Sequence, residues 1–135
     1  MAWHPGFEAY QVFTEGRRLP AQILGPRVDG DFIALYAEVN DAWLPRPNST
    51  RGWELHVSLG FLSEYGARGL TEGTVMELLK VLEQRWSRKH HMLMVEFVGN
   101  GAALMINRDD PLALDPIVDY LSTHGGYDRQ LHIST

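Results

Sequence analysis

The sequence contains no cysteine among its 135 residues. This absence excludes a disulfide framework, a zinc site built on thiolates and a cysteine nucleophile. Positive charge is also scarce, because 12 lysines and arginines stand against 17 aspartates and glutamates, for a net charge of −5. We therefore expect no stable binding of duplex nucleic acid, although a small ligand with one or two phosphates can use a locally positive site.

Long hydrophobic runs are missing as well. No apolar stretch of the sequence approaches the roughly 20 residues that a membrane-spanning helix needs. The N-terminus shows no basic segment followed by an apolar one, so no signal peptide is visible. These absences predict a cytoplasmic protein that does not bind membranes. The sequence leaves its oligomeric state open.

The composition, with 44% hydrophobic and 21% charged residues, is typical of a globular chain that buries one core. Neither a charge shift nor a low-complexity tract marks an internal boundary. We therefore predict a single domain over residues 1–135. Its first part, residues 1–30, is interrupted by glycine and proline and is interpreted as an N-terminal extension that could hold short strands at 10–13 and 21–24.

The hydrophobic pattern of the remaining chain predicts five further strands, two of them joined in a hairpin, and two helices. The second helix could begin at either of two Asp-Pro pairs, since each offers a capping carboxylate followed by proline. The predicted strands are 32–39, 53–62, 92–98, 102–107 and 130–134; the hairpin turn is 99–101, and the helices are 74–88, capped by Thr74, and 110 or 115 to 125.

Two short motifs repeat one pattern of leucine, histidine, aliphatic residue and serine. They are Leu55–Ser58 and Leu131–Ser134, and each lies on a predicted strand. Positions two apart on a strand face the same side. Each motif therefore presents an imidazole and a hydroxyl to one surface, while its aliphatic residue points to the core.

Phosphodiester cleavage suits this combination of groups. One imidazole can activate an attacking oxygen and the other can protonate the leaving oxygen, because imidazole is the side chain that most readily exchanges a proton in general acid–base catalysis. Two hydroxyls can hold the non-bridging phosphate oxygens. His56 and His132 are therefore the candidate catalytic residues, and Ser58 and Ser134 are candidate phosphate-binding residues. We expect no metal and no other cofactor.

The paired motifs resemble the signature of the two-histidine phosphoesterases, and Leu55–Leu62 is especially similar to the first motif of that superfamily. The order of predicted elements is also similar from about Phe32 to Ser134. The resemblance implies an α+β fold, with two pseudo-symmetric lobes of antiparallel sheet, flanking helices and a central groove. It implies a metal-independent phosphodiesterase that acts on a 2′,3′-cyclic phosphate, a cyclic dinucleotide or a short oligonucleotide.

Several other residues carry alternative interpretations. Tyr36 and Trp53 could stack on a nucleobase beside the motifs, or could simply pack in the core. His90 and His91 follow basic residues and are interpreted as the solvated end of a helix, and His124 as part of a helix terminus. The alternative function is a non-catalytic module that binds a ligand or a protein on the same fold.

Overall fold

Antiparallel strands form the centre of the molecule. The computed structural model describes residues 18–39, 55–98, 103–126 and 131–134. Their six strands close into a barrel in the order β1-β2-β3-β6-β5-β4. The described elements, in chain order, are β1 (Arg18–Asp29), β2 (Phe32–Val39), β3 (His56–Phe61), α1 (Leu62–Ala67), α2 (Glu72–Trp86), β4 (Lys89–Val98), β5 (Ala103–Ile106), α3 (Pro111–Leu114), α4 (Pro116–His124) and β6 (His132–Ser134).

The core is built by the alternation of side chains along the strands. On β3, Val57 and Leu59 are buried, whereas His56 and Ser58 are partly exposed. The same alternation on neighbouring strands directs one apolar face inward. The strand residues Leu19, Ile23, Leu35, Val57, Leu93, Val95, Leu104, Ile106 and Ile133 join the helix residues Val75, Leu79, Leu82, Val118 and Leu121 in one cluster.

The first strand belongs to the barrel. β1 pairs with β2 along one edge and with β4 along the other, so it closes the ring. The predicted strand at 21–24 is therefore the middle of a much longer one, within the segment that the sequence set apart as an extension. Glycines and prolines interrupt the strand pattern of β1 in the sequence, and one of them, Gly25, lies at a β-bulge. The predicted strand at 10–13 and the turn at 99–101 lie outside the described residues.

The helix termini follow capping chemistry, with one correction. Both Asp-Pro pairs begin a helix, because Asp110 and Asp115 accept hydrogen bonds from the backbone N–H two residues later. The long helix α2 begins earlier than predicted. Its cap is Thr71, whose hydroxyl accepts from the N–H of Thr74. The prediction that Thr74 is the cap was therefore wrong, since Thr74 is already inside the helix.

The chain turns directly from β3 into the short helix α1, which the sequence pattern did not predict. Its first residue donates a backbone hydrogen bond to the carbonyl of Asp31, and Ser63 donates to the Asp31 carboxylate. These bonds anchor α1 at the β1–β2 turn. Among the described helices, none is both long and apolar enough to cross a membrane.

Candidate active site

The two motif strands lie side by side. β3 and β6 pair antiparallel, with Val57 opposite Ile133. Because these central residues face each other, antiparallel geometry sets His56 opposite Ser134 and Ser58 opposite His132. The two histidines then occupy diagonal positions, whose separation in antiparallel sheets is roughly 7–8 Å. The four motif positions form a square with approximate two-fold symmetry about the Val57–Ile133 pair.

This square lies on the face of the sheet opposite the core. Val57 and Ile133 are 1% and 0% exposed and point inward. His56, Ser58 and His132 alternate with them and are all partly exposed. Both imidazoles are therefore within reach of a bound molecule and still supported by the surrounding protein.

Aromatic residues of β2 hold the His56 ring from two sides. Phe32 meets it edge-on, with ring centroids 5.5 Å apart, and Tyr36 lies at 5.4 Å with its ring tilted. Ala34 separates the two aromatics and is fully buried. Its small side chain leaves room for the imidazole between them, and the paired contacts restrict the orientation of the ring.

Tyr36 contacts a cation as well as a histidine. The guanidinium carbon of Arg27 lies 3.7 Å from the centre of the Tyr36 ring. Gly25 stands directly opposite Tyr36 in the register, and a Cβ on it would first meet Ser87. Since the guanidinium covers one face of the ring, Tyr36 links Arg27 to His56. The stacking of a nucleobase on Tyr36, which the sequence suggested, stays a prediction.

A row of in-register positions extends the site across the sheet. Arg27 lies opposite Ala34, and Ala34 lies opposite Ser58, which in turn faces His132. Neighbouring strands are about 4.8 Å apart, so this row runs straight from a cation to the second histidine. Trp53 lies outside the described residues, and of Ser134 only the strand position is described here.

The arrangement can hold one phosphate between two titratable groups. An imidazole at each end of a diagonal can serve opposite sides of a phosphorus atom, as an in-line displacement requires. The Ser58 hydroxyl can donate to a non-bridging oxygen from the same face. The row of β1, β2 and β3 adds the positive charge of Arg27 near this position.

The remaining histidines occupy different environments. His91 lies within β4 and donates from Nε2 to the buried carboxylate of Asp110 at 2.8 Å, so its interpretation as a solvated helix end was wrong. His90, on the same strand, is exposed. His124 in the last turn of α4 hydrogen-bonds through Nδ1 to the carbonyl of Tyr120, consistent with the helix terminus that the sequence indicated.

Sequence reasoning missed Arg27 and Phe32 as neighbours of the motifs. Arg27 lies in a glycine- and proline-rich stretch where no strand pattern was clear. Phe32 begins an apolar run whose two faces look alike in sequence. Its spacing of four from Tyr36 was the available signal, since both residues must share a face of the strand.

Within the described ranges, no group of three or more histidine, aspartate or glutamate side chains could hold a metal ion. No family model, curated protein or solved structure matches this chain. The functional assignment therefore depends on the side chains that β2, β3 and β6 bring together.

Proposed function

We propose that the protein is a metal-independent phosphodiesterase that uses His56 and His132 as general acid and base. The observation that carries the proposal is the pairing of Val57 with Ile133, which brings both His-x-Ser motifs to one face of adjacent strands. A single motif of this kind is common on strands. Two copies related by a local two-fold axis supply two imidazoles to one bound phosphate.

The reaction divides between the two histidines. The neutral imidazole takes the proton from the attacking oxygen as that oxygen bonds to phosphorus. The bond from phosphorus to the leaving oxygen breaks, and the protonated imidazole donates its proton to that oxygen. With water as the attacking group, the products are a phosphate monoester and an alcohol. Either histidine can take either role in this symmetric arrangement.

The other polar groups position the phosphate. Ser58 and Ser134 hold non-bridging oxygens, and Phe32 and Tyr36 keep the His56 imidazole in a productive orientation. In this proposal the barrel divides into two pseudo-symmetric lobes about the β3–β6 seam, with the substrate in a groove along it. The net charge of −5 favours a small nucleotide or a short oligonucleotide over long RNA.

The proposal is tested by incubating the protein with a panel of 2′,3′-cyclic phosphates, cyclic dinucleotides and short 2′-5′ oligonucleotides, each with EDTA. We expect turnover of at least one class in the presence of the chelator. Turnover that is lost in EDTA and restored by a divalent ion would contradict the mechanism. Binding of a panel member without cleavage would instead favour the non-catalytic binding module.

Substitutions then assign the histidines. His56→Ala and His132→Ala should each lower kcat by about 10²–10⁴-fold, the usual contribution of a positioned acid or base. The double variant should lose less than the product of the two, because the groups act together. His90→Ala and His124→Ala are matched controls and should behave as wild type. Full activity in His56→Ala would refute the assignment.

A further inference from the structure

A polar cavity adjoins the proposed site on the same face of the sheet. Its volume is about 430 Å³, within the range of small-molecule sites. The described residues that line it are Gln22, Leu24, Arg27, Glu38 and Arg88. Arg27 belongs to both places, because its guanidinium rests on the Tyr36 ring that also contacts His56.

A β-bulge and a docked turn build this cavity. The β1–β2 register shifts between Ile23 and Gly25. Across this bulge, Ser87 donates from its hydroxyl to the carbonyl of Leu24 at 3.3 Å, which ties the turn after α2 to β1. Arg88 follows in that turn with φ of 52°, an unusual conformation for a residue with a side chain. The fold therefore holds a strained arginine at the edge of the cavity.

Charge and distance relate the cavity to the histidines. Two arginines and one glutamate line it, so its surroundings are positive on a protein whose net charge is −5. The ring separation of 5.4 Å between His56 and Tyr36, with the 3.7 Å from Tyr36 to Arg27, limits the gap between His56 and the Arg27 guanidinium to about 9 Å. A single nucleoside unit is long enough to span that gap.

We propose that Arg27 and Arg88 form a subsite for a second phosphate, one nucleoside away from the phosphodiester that lies between His56 and His132. The inference rests on the proposed function and specifies its substrate class as a nucleotide with two phosphates. Planar guanidinium groups bind phosphate oxygens in pairs, which suits this role better than lysine. Glu38 also lines the cavity, and its negative charge weakens phosphate binding there.

The test compares the binding of two probes, the 2′-5′ dinucleotide ApA and its 5′-phosphorylated form pApA, by calorimetry. His132→Ala is the common background of every variant, so that neither probe is cleaved during the titration. Protein that is otherwise wild type should bind pApA more tightly. Arg88→Gly should weaken pApA binding by about tenfold or more and leave ApA unchanged, because one charged contact is lost. Glycine suits the positive φ at this position, so the variant should fold. Arg108→Gln, which removes the same charge elsewhere, should bind both probes as the His132→Ala background does.

Further variants sharpen the result. Arg88→Lys should restore part of the pApA affinity, and Glu38→Gln should raise it by about two- to fivefold, since one repulsive surface charge is removed. A cyclic dinucleotide serves as a third probe in the same binding measurement. Preference for it over pApA identifies the second phosphate as a diester, whereas preference for pApA identifies a terminal monoester.

The outcomes separate the two proposals. Equal affinity of the His132→Ala background for ApA and pApA, including no detectable binding of either, overturns the subsite. An equal loss of affinity for both probes in Arg88→Gly also overturns the subsite. The proposed function fails separately, when no diester of the panel is cleaved by wild type, and this readout does not depend on Arg88.

Discussion

Three histidines of this chain lie in different environments, because their neighbours differ. His56 lies between two aromatic rings on a partly exposed face. His91 is bonded to a carboxylate that is completely buried. His90 is exposed on the same strand as His91. An imidazole between apolar rings at a surface can exchange protons with a ligand, whereas one bonded to a buried carboxylate is committed to the fold.

Asp115 makes the stability of the protein depend on pH. Its side chain is 5% exposed and accepts hydrogen bonds from Trp86 Nε1 and the Ile117 N–H, and from Arg85. Burial alone raises the pKa of this carboxyl, but the bonds from Trp86, Ile117 and Arg85, with the Arg85 charge, hold its pKa below the usual value. The ionised form is therefore favoured in the folded protein.

A carboxyl whose pKa is lowered by folding stabilises the protein above its unfolded pKa, near 3.9, and loses that contribution as pH falls through the folded value. Asp115→Asn should therefore lower the free energy of unfolding by about 1–3 kcal/mol at pH 7. The difference from wild type should shrink as pH falls below about 4. Urea unfolding between pH 7 and 3 measures it. The exposed Asp109→Asn is the control, and a pH-independent difference for Asp115→Asn would contradict the assignment.

At the scale of elements, the packing of α4 on β3 depends on two glycines. Gly125 ends α4 and lies against Gly60, so closely that a Cβ on Gly125 would collide with the Leu59 carbonyl and the Gly60 backbone. The Gly125 carbonyl also accepts from the Phe61 N–H. This close approach fixes the strand that carries His56 and Ser58 against the helix.

Gly125→Ala should therefore destabilise the protein by about 1–3 kcal/mol, the usual effect of overpacking. The matched control is Gly66→Ala in α1, where a Cβ would meet no atom within 4 Å. That variant should be neutral or more stable by about 0.5–1 kcal/mol, because alanine favours helix over glycine. Thermal and denaturant unfolding distinguish the two. Wild-type stability of Gly125→Ala would show that α4 can move away from β3 without cost.

At the scale of the whole molecule, barrel closure decides which distant residues meet. β6 follows β3 by more than 70 positions, yet the two strands pair because β4 and β5 return the chain around the ring. The same closure sets β1 beside β4, whereas Arg27 reaches the proposed site through the local hairpin of β1 and β2. A chain that stopped short of β6 would lack one histidine and leave β3 and β5 with open edges.

The overall charge predicts what the protein will not bind. Negative charge repels the backbone of a duplex, while the local pair of arginines suits a small phosphate. A duplex of about 20 base pairs should therefore bind more weakly than about 10⁻⁴ M at physiological ionic strength, where dedicated DNA-binding proteins reach 10⁻⁴–10⁻⁶ M without sequence specificity. Fluorescence anisotropy measures this. A micromolar dissociation constant for the duplex would contradict the prediction.

Much of the local structure followed from sequence patterns. The strand 32–39, the hairpin strands and the long helix were predicted close to their observed bounds. One helix was predicted from either Asp-Pro pair, whereas each pair begins a helix of its own. These elements depend on periodicity and capping, which act over a few residues. The short helix α1 and the full length of β1 were not predictable, because the bonds from Leu62 and Ser63 to Asp31, and the pairing of β1 with β4, join residues far apart in sequence.

The candidate site was likewise predictable from the sequence only in part. The identity and the shared face of each histidine and serine are properties of a strand, so local sequence was sufficient to predict them. The contact between the two motifs, the Phe32 and Tyr36 rings on His56 and the cavity at Arg88 all depend on strand order, register and a bulge. Register is set by long-range burial of the apolar face, whose free energy depends on the whole chain and appears in no local pattern.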